Sequence, residues 1–407
     1  MKSRAGIDYD ALVKTDRVHS RVYTDAEIFS DEMKRIFHRE WVYVGHTGEA
    51  PNAGDFRLKR IGLQPIIMVR DQSGKLNLLL NRCRHRGATV CQESRGNART
   101  FRCAYHGWTY RLNGALSGVP YPDAYDDSFH RAEMGLVKVP RVEEYRGFVF
   151  GSLSRAGVSL EEHLGRAREC IDHFVDKSPQ GELDLSVGRQ AYRYAGNWKL
   201  QAENSLDGYH PPFVHQSFLA ASSRDGESEA SGAPPDGRTG DLGNGHVTLT
   251  QAVPVEQAGN VNFLLFPNLA IVGVQLRVVI PLKVDYTEVE ILPTFLKGVP
   301  DEVNIARLRE HESFFGPGGL GSPDDTEVFE RIQAGYAATL EPWVLFARGM
   351  RRERRENGVL TGYIADEVPQ RGMWRQWKQL MLMTQRAELP GGKSRSQVRS
   401  RNLSPLA

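Results

Sequence analysis

The chain has 407 residues, enough to bury more than one core, and its apolar, charged and aromatic fractions are those of an ordinary globular protein. A net charge of +2 supplies no global field for nucleic acid or an anionic membrane. Four cysteines make no disulfide framework, and no apolar run is long enough to span a bilayer. The N-terminus lacks the apolar stretch of a signal peptide, so a cytoplasmic location and metal or redox chemistry for clustered Cys and His are expected.

Residues 25–39 have helical spacing, with Ile28, Met33, Ile36 and Phe37 recurring between charges. After Gly54 the pattern turns to strands, at Asp55 to Arg60, Pro65 to Arg70 and Lys75 to Asn81, with Asp71-Gln72-Ser73-Gly74 as a hairpin turn. Tyr145 to Gly151 reads as a closing strand, which sets a small β-rich domain at 40–155. Residues 1–39 and 156–390 are assigned to a second, mixed domain. It begins with a helix near 159–175, then a strand Arg189 to Tyr194 and a helix from Asn197. Ala221 to Gly245 is polar and loop-like, either disordered or a lid. Strands resume at Asn262 to Phe266, Ala270 to Pro281 and Asp285 to Phe295, followed by helices near 301–315, 324–338 and 364–384. Residues 391–407 read as a disordered basic tail.

Two constellations carry chemistry. Cys83-Arg84-His85 and Cys103-Ala104-Tyr105-His106 each offer one thiolate and one imidazole, with seventeen residues between the halves. Two thiolates hold one iron of a [2Fe–2S] cluster and two histidines the other, which makes the cluster easier to reduce than an all-cysteine one. Gly87 and Gly107 let backbone approach the sulfurs, while Tyr105 and Trp108 are placed to shield them, Tyr105 with a hydroxyl for a ligand sulfur. A zinc site uses the same residue types, but the mixed C-x-H half is not zinc-like spacing. Cys91 and Cys170 read as plain thiols.

The second constellation is Glu203-Asn204-Ser205-Leu206-Asp207-Gly208-Tyr209-His210-Pro211-Pro212-Phe213-Val214-His215. Pro211 and Pro212 are expected to break any helix between the histidines and let both imidazoles converge. Two histidines and one carboxylate on one face of non-haem Fe(II) leave positions open for O₂. Spacing leaves the carboxylate open among Asp324, Asp325 and Asp366, with Asp324 and Glu327 also readable as a helix cap and its capping-box partner. Asn204, Leu206, Phe213 and Phe263 to Phe266 are candidate pocket or core residues. Arg348, Arg351, Arg352, Arg354 and Arg355 are a candidate site for a substrate carboxylate, weighed against a solvated face.

With C-x-H…C-x-x-H and E-N-x-x-D-x-Y-H-x-x-x-x-H together, the chain resembles the large (α) subunit of bacterial Rieske non-haem iron ring-hydroxylating oxygenases, over nearly its whole length to Trp377. The resemblance implies an α+β fold in which a β-rich Rieske domain adjoins a helix-grip catalytic domain. It implies a Rieske [2Fe–2S] cluster on Cys83, His85, Cys103 and His106, and a mononuclear Fe(II) on His210, His215 and Asp325. It also implies that Asp207 bridges His210 to His106 of the partner subunit. The Asp-Asp stretch and Trp-rich C-terminal helix look most like the benzoate, anthranilate and salicylate branch. That implies electrons from NADH through a reductase, with or without a ferredoxin, a small β subunit in an α₃β₃ assembly or a bare α₃ trimer, and dihydroxylation of an aromatic acid. A Rieske monooxygenase or demethylase, and an electron carrier without catalytic iron, are the alternative readings.

Overall fold

Alternating apolar residues between Asp55 and Leu80 need one face covered, and the chain meets that need with a tight antiparallel meander. The computed structural model describes residues 6–218, 237–251 and 261–388. Asp55–Ile61, Gln64–Arg70 and Leu76–Leu80 pair in register, with Arg95–Asn97 on the outer edge. The Asp71 carboxylate closes the expected hairpin by accepting from the backbone N–H groups of Ser73 (2.9 Å) and Lys75 (3.1 Å). A second small sheet, Thr100–Arg102, Thr109–Arg111 and Leu116–Gly118, carries the second Cys/His segment. Val42–His46 pairs with Phe148–Ser152, which pairs in turn with Arg141–Tyr145. The expected single closing strand is therefore the second arm of a hairpin. Arg146 and Gly147, both with positive φ, form its turn.

The second half is built on a nine-stranded antiparallel sheet. In spatial order its strands are Gln190–Tyr194, Tyr286–Pro293, Gln275–Lys283, Leu269–Val272, Val261–Leu265, His246–Gln251, Gly237–Gly243, Val359–Tyr363 and Arg354–Glu356. The stretch expected as one strand from Ala270 to Pro281 is two, folded at Gly273 (φ +61°). Of the expected loop 221–245, residues 237–243 form a strand, and 221–236 lie outside the described residues, as does the 391–407 tail. The C-terminal helix Val368–Glu388 packs its Met373, Trp374, Trp377 and Met381 into the core shared with the N-terminal helix Ala26–Glu32 and the π-helical turn Met33–Phe37. Residues 159–175 form two helices, Leu160–Leu164 and Ala167–Val175, parted at Gly165 (φ +48°).

The two halves are joined by polar contacts as well as packing. Asn268 accepts from the Tyr43 N–H and donates to the Tyr43 carbonyl, both at 3.0 Å. Buried Lys59 meets Glu49 at 2.6 Å and Glu290, on the large sheet, at 3.3 Å; Arg189 adds a second cation on Glu290 at 2.9 Å. A buried ammonium is tolerated only with such partners. Among the described residues no helix is long and apolar enough to cross a membrane.

Candidate metal centres and their family

The two Cys/His loops are near copies. In each, the N–H of the glycine four residues on donates to the cysteine carbonyl, Gly87 to Cys83 and Gly107 to Cys103, both at 3.0 Å. Both glycines have positive φ (+80° and +70°), and a Cβ there would crowd Arg82 or Pro120. The result is two matched turns that present buried Cys83 and Cys103 with His85 and His106 nearby, the imidazole rings 4.6 Å apart. Trp108 stacks on His85 at 5.1 Å, as its shielding role requires. Burial first, then the charges of His106 and Arg86, hold His85 below its ordinary pKa, the direction that favours the neutral base a metal needs. Its Nδ1 is buried without a hydrogen-bond partner. An orphaned ring nitrogen beside two buried thiols fits a metal cluster and is otherwise costly.

The hydroxyl at the sulfur belongs to Tyr110, not Tyr105. Tyr105 is 60% exposed and lies against His106. The Tyr110 oxygen accepts from the Arg84 N–H (3.1 Å), which leaves its one proton for Cys83 Sγ at 3.2 Å. Sequence reasoning missed it, although its inward place in a strand two residues past Trp108 was the available signal. Cys91 and Cys170 both have thiol pKa values raised by burial, Cys170 to about 11, as unreactive thiols do.

The second centre is assembled from two segments. Asn197 caps the helix Trp198–Asn204 by accepting from the Lys199 N–H. Beyond the helix, Asp207 accepts from the Tyr209 N–H at 2.6 Å and turns the chain. The prolines do not break a helix; they begin one. Pro211–Val214 is a single turn with Pro in its first position, where no N–H is needed, and His210 and His215 flank it. The carboxylates come from the helix Ser322–Gly335, which starts two residues earlier than expected. Its N-cap is Gly321, with no side-chain cap bond, so the Asp324–Glu327 capping box does not form. Both aspartates of its first turn face the histidines instead.

His210, His215 and Asp325 offer donor atoms all within 4.8 Å of one another. Asp325 Oδ1 is 3.5 Å from His210 Nε2 and 3.3 Å from His215 Nε2. Behind each imidazole stands a further carboxylate, Asp207 Oδ2 at 3.4 Å from His210 Nδ1 and Asp324 Oδ2 at 3.5 Å from His215 Nδ1. Burial opposes charge on His215, yet Asp325 and Asp324 outweigh it and raise its pKa. Three carboxylates around two imidazoles whose Nδ1 atoms lack hydrogen-bond partners are a donor set that fits a divalent cation. Asp366 is excluded from the set because its two oxygens accept from Arg352 Nε at 3.1 and 2.9 Å. Asn204 Nδ2 lies 3.2 Å from both His210 Nε2 and Asp325 Oδ1, at the centre itself. Leu206 and Phe263 to Phe266 belong to the core, and Phe213 is 63% exposed. All five members of the arginine run are exposed, with Arg348 over the Tyr209 ring at 3.7 Å.

A model of the Rieske [2Fe–2S] domain matches residues 40–143, and one of the ring-hydroxylating α-subunit catalytic domain matches residues 183–382. The 2-halobenzoate 1,2-dioxygenase large subunit of Burkholderia cepacia is 34% identical, over 84% of this chain and 82% of its own. The anthranilate 1,2-dioxygenase large subunit of Acinetobacter baylyi is 36% identical, over 82% and 80%. The chain belongs to the ring-hydroxylating dioxygenase large subunits. Toluate 1,2-dioxygenase subunit α of Pseudomonas putida is a further relative, 36% identical over 83% of this chain and 84% of its own. Among solved structures, naphthalene 1,2-dioxygenase from Rhodococcus bound to indole superposes with a TM-score of 0.81 at 28% identity, over 92% of this chain and 95% of that one. As a member of this family the subunit is an oxidoreductase that uses a Rieske [2Fe–2S] cluster and a mononuclear iron to hydroxylate aromatic rings.

Proposed function

We propose that this large subunit hydroxylates a monocyclic aromatic acid of benzoate size, with Cys83, His85, Cys103 and His106 as cluster ligands and His210, His215 and Asp325 as iron ligands. The observation that carries the ligand reading is the convergence of His210, His215 and Asp325 with a carboxylate behind each imidazole. The substrate class is supported by the three relatives, whose names place 2-halobenzoate, anthranilate and toluate as substrates.

When bound, the cluster supplies single electrons and the iron activates O₂; the polypeptide does the rest. Asp207 and Asp324 stand 3.4 and 3.5 Å from the Nδ1 atoms of His210 and His215, not hydrogen-bonded in this structure but placed to fix each ring with Nδ1 toward carboxylate, and each Nε2 is directed toward the Asp325 oxygen. Phe314, 4.8 Å from the His215 ring, and Phe315 beside it wall the centre with apolar surface that excludes water. Asp207, with its side chain 30% exposed, has one oxygen toward His210, and on this reading its solvent-facing side bridges to His106 of the partner subunit. We place the subunit in the cytoplasm, in a head-to-tail trimer with or without a small β subunit, served by a separate NADH-dependent reductase and, in some systems, a ferredoxin.

The test is turnover by the purified oxygenase with its reductase on benzoate, anthranilate, salicylate, toluene and naphthalene under labelled O₂. The expected product is an acid carrying two labelled oxygens. A single labelled oxygen in the product indicates monooxygenation instead.

A further inference from the structure

Among the described residues five basic side chains are buried: Arg35, Lys59, Lys199, Arg277 and Arg371. Four of them hold a carboxylate, namely Asp31, Glu49, Glu32 and Glu353 respectively. Arg277, only 2% exposed, has no carboxylate within ion-pair distance among the described residues. Its partners are neutral. The Gln275 amide oxygen accepts from Nε (2.6 Å) and Nη2 (2.9 Å) while its nitrogen faces His311, and Ser322 Oγ lies 3.5 Å from Nη2. A buried guanidinium without an anion is costly, and neutral hydrogen bonds offset that cost less than a carboxylate would.

The position of Arg277 is as telling as its isolation. Ser322 is one helical turn ahead of Asp325, so Arg277 reaches the same face of the helix that supplies the iron ligand. On its other side the guanidinium lies over the Phe315 ring at 5.1 Å, Phe315 touches Phe314 at 4.4 Å, and Phe314 touches His215 at 4.8 Å. His311 adds no competing charge, because burial and then Arg277 and Arg307 press its pKa down to about 3.

We infer that Arg277 is the specificity-determining residue that receives the carboxylate of an aromatic acid while its ring lies beside His210, His215 and Asp325. A planar fork with a missing anion, one helical turn from the metal ligands, matches a carboxylate attached directly to a ring. The inference deepens the aromatic-acid reading and rests on it. It also replaces the exposed Arg348 to Arg355 run as the carboxylate site.

The test compares benzoate with benzamide, its neutral isostere, in holoenzyme with reductase. For Arg277→Gln the benzoate KM should rise about 100-fold, while kcat/KM for benzamide changes by no more than about threefold. Calorimetric binding of benzoate to the metal-loaded oxygenase should weaken by a similar factor. Equal losses on both substrates, or none, overturn the inference. Should Arg277→Gln lose its cluster or its fold, Ser322→Glu decides. It offers Arg277 an internal carboxylate and should depress benzoate turnover relative to benzamide about 10-fold or more. An unchanged ratio in Ser322→Glu overturns the inference. Wild-type enzyme that oxidises toluene but none of the acids sinks the aromatic-acid reading itself, whereas acid turnover insensitive to both variants sinks only the role of Arg277.

Discussion

Asp324 is the residue whose contribution is easiest to isolate. Its carboxylate faces His215 Nδ1 and is 37% exposed, so its loss alters the imidazole more than the fold. A carboxylate behind a ligating histidine fixes tautomer and orientation and raises basicity, and its removal typically costs 10- to 100-fold in metal affinity, on the order of 1–3 kcal/mol. Asp324→Ala should therefore lose iron to a chelator at concentrations the wild type withstands, while Asp324→Asn, which still accepts a hydrogen bond, recovers part of the difference. Tyr110 acts likewise at the other centre. A hydroxyl donating to a ligand sulfur stabilises the more negative, reduced cluster. Tyr110→Phe should lower the reduction potential, by roughly 40 mV if the bond is worth about 1 kcal/mol for one electron. Voltammetry reads this directly, and an unshifted potential would remove Tyr110 from the cluster's surroundings.

At the scale of elements, what was legible in the sequence was what is contiguous. The Cys/His loops and the His210–His215 segment draw most of their geometry from residues within a few positions, so spacing alone presented them. Asp325 needed the resemblance, because it lies 110 positions beyond His215 and nothing local distinguishes it from Asp324. Arg277 and Tyr110 were missed for a related reason: strand alternation says that a side chain points inward but not what it meets. The two errors at Pro211 and Gly273 both came from reading a residue as a breaker or as strand interior where it instead starts a turn. Glu203 shows how elements far apart in the chain converge. Tyr23 from the N-terminal region and Trp374 from the C-terminal helix both donate to its carboxylate, at 2.7 and 2.9 Å. Burial, only partly offset by those bonds and by Lys199, raises its pKa from the ordinary 4.5 to about 7. The folded state thus binds a proton that the unfolded state has released between these values. The associated stability is complete below about pH 4.5 and is lost as pH rises through 7, amounting to about 2 kcal/mol since the residue is not wholly enclosed. Urea midpoints of the wild type should include a fall between pH 5 and 8 that Glu203→Gln, permanently neutral, does not share.

The whole molecule is where the two centres must be related. Among the described residues no hydrogen bond, ion pair or ring contact joins the cluster loops to the 204–215 segment of the same chain. Each centre instead opens outward. Tyr105 is 60% exposed beside His106; Tyr209 (42%) and Phe213 (63%) are exposed beside Asp207 and His210. Two separate aromatic edges on one chain, each next to a redox site, suit a head-to-tail ring in which the cluster of one subunit serves the iron of the next. This arrangement makes a prediction that no single-chain route shares. A Cys103→Ser chain lacks a competent cluster, and a His210→Ala chain lacks a competent iron site, so each alone should be inactive. Co-expressed with different tags and purified through both, they form only mixed rings. Going round any mixed ring of three, a subunit with an intact cluster meets a neighbour with an intact iron site at one junction of the three. Activity should therefore return to about one third of the wild type per trimer. If transfer ran within a chain, every subunit would still hold one broken centre and the mixed rings would stay inactive.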